Sequence, residues 1–254
     1  MNKKSQVKNV IRKNFSKSAE KREFSYEKQT EDRKRLEKIL KVFGKYNVYD
    51  ALSALTAARA LGIADEISFK ALAEFRGTWR RFEEIGNYKG ALVISDYAHN
   101  PQKIKALAEA LFCKMKTEKQ QGEIIIVFQP HHQRRLETLF DDFVEAFGEI
   151  AREMQIIITD VYEVAGREIK FQPKAGPPRA EKINSKLLVE TINKKYPDAN
   201  VVYAPKNKLS LYLKNKFKIQ SASWRTKFTI LIFAGAGDID DFARKLILQP
   251  LNHY

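Results

Sequence analysis

Glu123-Ile124-Ile125-Ile126-Val127-Phe128 runs straight into Gln129-Pro130-His131-His132-Gln133-Arg134-Arg135, and apolar side chains then recur at Leu136, Leu139, Phe140, Phe143, Val144 and Phe147. An unbroken β-branched run of this length reads as a strand buried on both faces. The spacing after it predicts an amphipathic helix from Arg134 to Phe147. The same unit recurs on either side. Ala91–Ser95 is a strand, and Pro101–Lys114 is a helix with proline in its first turn. Gln155–Thr159 is a strand, and Ser185–Lys195 is a helix with Asn184 or Ser185 as its cap. Asn200–Tyr203 is a short strand. Phe228–Phe233 is a strand that leads to a helix over Ile239–Leu248. Alternation of this kind predicts an α/β fold: a Rossmann-like, doubly wound, mostly parallel sheet with helices on both faces.

Ligands bind such sheets outside the carboxyl ends of the strands. Four loops therefore carry the candidates. Asp96-Tyr97-Ala98-His99-Asn100 puts a carboxylate beside an imidazole, a pair suited to holding a hydroxyl and moving a proton. The alternative is that Asp96 only starts a turn and caps the following helix. His131, His132, Arg134 and Arg135 open a helix, where free N–H groups and the helix dipole favour an anion. Arg135 suits a carboxylate, which it can grip with two parallel hydrogen bonds. No Cys, Asp or Glu near this histidine pair stands at tetrahedral ligand spacing, so no metal ligand is assigned. Asp160-Val161-Tyr162 ends the next strand. Gly235-Ala236-Gly237-Asp238 lacks the third glycine of a dinucleotide fingerprint and reads as a tight strand-to-helix turn.

Ahead of these units, the pattern is helical from Val48 to Leu61, with Gly62 as the stop. A short helix follows over Ser68–Phe75, with Ser68 as its cap, and Leu36–Phe43 reads as a short strand. The net charge of +15 is concentrated at the start: residues 1–42 hold 14 Lys/Arg and 6 Asp/Glu, a net of +8. Residues 1–35 show no period and read as a basic tail, a solvated extension in preference to a nucleic-acid arm. Hydrophobic residues make up 44% of the chain, enough for a large core. The single cysteine, Cys113, can form no internal disulfide. No apolar run approaches the length of a membrane span, and the basic N-terminus lacks a signal-peptide core, so no membrane association and a cytoplasmic location are expected. No Gly-x-x-x-x-Gly-Lys-Ser/Thr loop occurs in the 254 residues.

Five stretches, in order, resemble the Mur ligase family. Gly44-Lys-Tyr-Asn47-Val-Tyr-Asp50-Ala resembles a Gly-x-His/Tyr-Asn-x-x-Asn-Ala motif at the end of that family's central ATP-binding domain. Phe75-Arg-Gly77-Thr-Trp-Arg80-Arg81-Phe82 is similar to the motif that opens its C-terminal domain. Ser95-Asp96-Tyr97-Ala98-His99-Asn100-Pro101 resembles its Asp-Tyr-Gly/Ala-His-x-Pro motif. Phe128-Gln-Pro-His131, with Arg135 and Leu139–Phe143, is similar to the branch that adds alanine to a UDP-linked muramate. Asp160-Val-Tyr162, Glu168 and the Gly235–Asp238 turn complete the set.

The resemblance implies a domain order: residues 1–35 a tail, 36–74 a helical remnant of the central domain, and 75–254 the C-terminal Rossmann-like domain. It implies the C-terminal part of an ATP-dependent acid–amino-acid ligase of peptidoglycan precursor synthesis, with ATP and Mg2+ as cofactors and L-alanine as the amino acid. Asn47 would meet adenine, with Asp50 beside it. Arg81 would neutralise phosphate charge. Asp96 would hold the ribose or orient Arg81. Tyr97, His99, His131 and Arg135 would line the amino-acid site. Asp50 departs from the family's usual Asn, and His132 from the usual Arg. With no phosphate loop, the chain alone is expected not to turn over ATP; either a separate chain supplies the N-terminal and central domains or the gene is truncated. The rival expectation is a binding module without chemistry; nucleic-acid binding through the tail ranks last.

Overall fold

The computed structural model describes residues 30–118, 122–163, 183–219 and 228–249. The expected tail before residue 30 and Glu168 lie outside them. The chain divides into two compact units, Met1–Gly77 and Thr78–Tyr254.

The first unit contains helices α1 (Thr30–Ile39), α2 (Lys45–Ala60) and α3 (Asp65–Glu74). Leu36, Val48, Ala51, Leu52, Leu55 and Phe69 form its core, flanked by Ile39, Leu40 and Leu72. The strand expected from Leu36 is instead helix: Leu36, Ile39 and Leu40 are spaced three and four apart, so one helical face delivers all of them to that core. α1 therefore runs through residue 35. α3 starts at Asp65, with Ala64 as N-cap, and not at Ser68. Asp65 and Glu66 sit in its first turn, where the dipole favours negative charge. The Ser68 hydroxyl donates back to the Ala64 carbonyl at 3.3 Å. Gly62 stops α2 with φ +76°, a conformation that costs glycine little. Arg59 fastens the helices together, donating to Asp32 at 2.6 and 3.0 Å and to Asp65 at 2.7 and 2.8 Å.

The second unit is built on β1 (Glu83–Tyr88), β2 (Ala91–Asp96), β3 (Gly122–Phe128), β4 (Gln155–Ile158), β5 (Val201–Tyr203) and β6 (Phe228–Ala234). They form one sheet in the order β1-β2-β6-β3-β4-β5. Only β1 is antiparallel, and its register shifts between Glu84 and Gly86. β2, β6, β3, β4 and β5 run parallel, as expected from their unbroken apolar runs. The helices are α4 (Pro101–Thr117), α5 (Gln133–Thr138), α6 (Phe140–Ile150), α7 (Ser185–Lys195), α8 (Lys206–Ile219) and α9 (Ile239–Ile247).

Strand alternation sends Val93, Ile125, Val127, Ile157, Leu231 and Phe233 to one face, where they pack with Leu209, Leu213 and Phe217 of α8 and Ile239, Ala243 and Leu246 of α9. The other face receives Ile124, Ile126 and Phe128. The Phe128 ring lies 5.5 and 5.0 Å from those of Phe143 and Phe147 on α6. Asn100 caps α4 by accepting from Lys103 N, and Asn184 caps α7 by accepting from Leu187 N. The single helix expected over Arg134–Phe147 is two, because Leu139 leaves the helical region at φ −109°, ψ 20°. Among the described residues, no helix is long and apolar enough to cross a membrane.

Candidate functional site

The carboxyl ends of β2, β3, β6 and β4 lie side by side in the sheet, which brings their loops together. Asp96 closes β2. Its Oδ2 accepts from Phe82 N at 2.8 Å and its Oδ1 from Ala98 N at 2.7 Å, so it ties the segment before β1 to the loop after β2. It does not cap α4; Asn100 does. Burial pushes its carboxyl above the ordinary range, against those two hydrogen bonds and the charges of Arg81 and Lys103.

Arg80 and Arg81 are adjacent and behave oppositely. Arg81 is exposed. Arg80 is buried, and its Nη2 donates to the carbonyls of Gly235 at 2.7 Å and Gly237 at 2.8 Å. The Arg80 carbonyl accepts from Tyr97 N at 2.7 Å. Its own N–H donates to Glu83 at 2.8 Å, and Glu83 also accepts from Arg244 at 2.7 Å. Arg244 in turn donates to Asp240, which accepts from Ser95 Oγ. Arg80 adopts φ +57° and Phe82 φ +49°. Residues other than glycine are rare there, so the surrounding bonds hold this conformation.

The three loop histidines form a connected row. The Tyr97 and His99 rings meet edge to face at 5.1 Å, His99 and His131 are 6.3 Å apart, and His131 and His132 are 4.1 Å apart. His99 Nδ1 lies 2.8 Å from the Tyr97 carbonyl, which only accepts, so Nδ1 carries the proton and Nε2 is left as an acceptor in the neutral ring. His131 Nδ1 lies 3.2 Å from Arg135 Nη1, which only donates, so the neutral His131 ring carries its proton on Nε2. Burial lowers the pKa of both rings. His131 falls to about 4, with the charges of His132, Arg135, His99 and Arg80 adding to burial. His99 falls through burial and then the charges of Lys103 and Arg135, against its bond to Tyr97. Both rings are neutral at neutral pH.

The opening of α5 is not the free anion site the sequence suggests. α5 has only six residues, His132 precedes it at φ +65°, and the Gln133 N–H is taken by Glu163 Oε1 at 2.6 Å. Tyr162 stacks on His131 at 5.5 Å and accepts from His132 N at 2.9 Å.

The Gly235–Asp238 turn is a tight connection, as read from sequence. A Cβ on Gly237 would lie 2.4 Å from the Tyr162 ring and 2.5 Å from Gln129 Oε1. Gln129, which is buried, donates to Asp238 at 2.9 Å, and Lys206 pairs with the same carboxylate. These contacts outweigh burial and hold Asp238 below its usual pKa. Asp160 accepts from Tyr203 and from Lys206 N, which fixes the start of α8. Arg80 and Gln129 stand inside the quoted motifs and Glu163 and Lys206 outside them, but the sequence gives none of the four its role, because the partners that define those roles, Gly235, Asp238 and Gln133, lie far away in the chain.

Asn47 and Asp50 lie in the first unit, three residues apart on α2. One Asn47 amide N–H is spent on the Phe43 carbonyl at 2.6 Å, and Asp50 is exposed. Among the described residues, no group of three or more His, Cys, Asp or Glu could hold a metal ion.

A family model described as "Mur ligase, glutamate ligase domain" matches residues 80–208. A UDP-N-acetylmuramate–L-alanine ligase from Rickettsia felis is 34% identical over 210 residues, covering 80% of this chain and 38% of that protein. One from Bartonella bacilliformis is 42% identical over 130 residues, covering 51% of this chain and 26% of that protein. Among solved structures, the UDP-N-acetylmuramate-alanine ligase of Thermotoga maritima superposes with a TM-score of 0.56 at 25% identity, over 82% of this chain and 38% of that one. A folylpolyglutamate synthase from Mycobacterium tuberculosis gives a TM-score of 0.54 at 14% identity over 83% of this chain and 42% of that one, a likeness of fold alone. The chain thus spans well under half the length of these relatives.

Proposed function

The chain belongs to the Mur ligase family, and from that premise we propose that its second unit delivers the amino acid in an ATP-dependent acid–amino-acid ligase of the UDP-N-acetylmuramate–L-alanine type. One observation carries the reading. Tyr97, His99, His131 and Arg135, from two loops far apart in sequence, form one connected row at the carboxyl edge of the sheet.

The proposed chemistry follows from that row. Arg135 takes the carboxylate of the amino acid. Attack on an activated acid requires a neutral amine, so an ammonium must lose a proton. His99, with its pKa lowered and Nε2 left as an acceptor, is suited to receive it. His131 keeps its proton on Nε2 and acts as a donor. Asp96 is a positioning group, because one oxygen holds the Phe82 N–H beside Arg81 and the other the Ala98 N–H beside His99. Arg81 offers an exposed guanidinium suited to phosphate charge. ATP, when bound, supplies the phosphoryl group that activates the acid; Asn47 and Asp50 are assigned to its base by the same premise. Mg2+ would come with the ATP phosphates, which with water supply most of its oxygen ligands. The domain order of tail, central-domain remnant and C-terminal domain over 75–254 is likewise part of the proposal, with residues 30–35 assigned to α1 and not to the tail, as is a cytoplasmic location.

The test is titration calorimetry of the 254-residue protein with L-alanine, with and without ATP. L-alanine binding that is lost in Arg135→Ala supports the site, and wild-type protein that binds neither ligand refutes it. The proposal also holds that these 254 residues do not turn over ATP by themselves. ATP hydrolysis or muramate–alanine ligation by the purified chain would overturn that part. A complementing chain that carries a phosphate loop is the partner expected to restore turnover.

A further inference from the structure

Glu163 plays no part in that chemistry, yet its carboxylate sits against the turn that bears His131 and Arg135. Its Oε1 accepts from Gln133 N at 2.6 Å, and its Oε2 lies 3.7 Å from His132 Nδ1. The turn that bears His131 and Arg135 therefore already holds a carboxylate of the chain itself. The backbone keeps it there. Tyr162 N donates to the Pro130 carbonyl at 2.8 Å, His132 N donates to the Tyr162 carbonyl at 2.9 Å, and His131 bridges to Tyr162 in parallel register. The left-handed backbone of His132 aims the Gln133 N–H at Glu163. Gln133 is secured from its other end, where its side chain donates to the Ile183 carbonyl at 2.5 Å and to Glu137 at 2.9 Å.

Glu163 occupies the Gln133 N–H and stands 3.7 Å from His132 Nδ1, so a carboxylate arriving at Arg135 meets a negative charge already held by the same turn. We propose that Glu163 is a specificity-determining residue of the amino-acid site: its resident carboxylate competes with the acceptor's carboxylate and repels an acceptor that carries a second one. Selectivity then comes from a repulsive element as much as from Arg135. Monocarboxylate amino acids are held by Arg135, and acidic ones are turned away.

This rests on the amino-acid reading, so the experiment separates the two. Wild-type protein, Glu163→Gln and Glu163→Asp are titrated with L-alanine and L-glutamate by calorimetry. Inorganic phosphate is titrated by NMR, following the Gln133 and His132 amides. Glu163→Gln keeps the shape and removes the charge at a largely solvent-facing position, with circular dichroism confirming the fold. The expected result is binding about tenfold tighter for L-alanine and more than tenfold for L-glutamate, the weight of one charge-assisted contact near the surface. Glu163→Asp keeps wild-type selectivity. If no variant binds an amino acid, yet phosphate shifts those amides at about tenfold lower concentration in Glu163→Gln, the competing role of Glu163 stands and the amino-acid reading fails. Equal affinities of wild type and Glu163→Gln for every probe overturn the inference.

Discussion

Replacing Arg80 by Met tests how the site is held together. The substitution keeps an apolar stem of similar reach and removes the guanidinium, hence the bonds at 2.7 and 2.8 Å to the Gly235 and Gly237 carbonyls. A hydrogen bond to a charged group contributes about 1.5–3 kcal/mol, so the pair is worth roughly 3–6 kcal/mol if both carbonyls stay dry. Two effects offset part of this. The buried Arg80 Nε has no partner, so removing it relieves a desolvation cost, and the freed turn can move toward water. A net loss of about 3 kcal/mol follows. In a unit of this size, that lowers the melting temperature by about 6–12 °C. Thermal denaturation followed by circular dichroism reads the change. Arg80→Lys, which keeps the charge but cannot span both carbonyls in one plane, should fall between the two. A melting temperature for Arg80→Met within about 1 °C of wild type would refute the clamp.

Three further outcomes are expected. His131 should titrate near pH 4 by NMR; because the unfolded ring takes its proton near 6.5, stability should fall as pH drops from about 6.5 toward 4 and lose nothing more from this group below that. The ring is partly solvated, so this loss is about 1–2 kcal/mol by urea titration at several pH values, and an NMR midpoint at 6.5 or above would contradict the cause assigned. Gly237→Ala places a methyl group 2.4 Å from the Tyr162 ring, which should cost about 1–3 kcal/mol in urea unfolding and shift the His131 signals through the stacked Tyr162. Asn100→Ala removes the α4 cap and should cost about 1 kcal/mol, whereas Asn100→Asp should restore most of it.

The parallel strands were legible because each is buried on both faces, and only an apolar run survives there. β1 was not. Glu83-Glu84-Ile85-Gly86-Asn87-Tyr88 lies at an edge with most positions at least partly exposed, so its pattern looks like a loop. α8 is masked by its lysines, although Leu209, Leu213 and Phe217 recur every four residues and form its buried stripe. Leu36–Phe43 has the apolar content of a strand, but the three-and-four spacing of Leu36, Ile39 and Leu40 belongs to α1. At the site, strand ends are where the loops of such a sheet gather, and Tyr97, His99, His131 and Arg135 meet there, whereas Asp96 turns both oxygens to backbone N–H groups. The same logic gave no means of dividing labour between Arg80 and Arg81. Only the left-handed turn at Arg80 decides which guanidinium faces inward. Glu163 was equally invisible, because its partner Gln133 is 30 residues away.

The two borders of the sheet have a consequence for how this protein behaves in company. A parallel sheet this apolar is a template that another chain's strand could extend. At one border, β1 breaks its register between Glu84 and Gly86 and carries two carboxylates. At the other, β5 offers only three residues. A bulged, charged strand and a stub both make poor platforms for an incoming strand. The molecule can thus keep a core of continuous Ile, Val and Phe runs at its centre without inviting its neighbours to zip onto it, and it can hold the concentrations that the proposed pairing with a complementing chain would require.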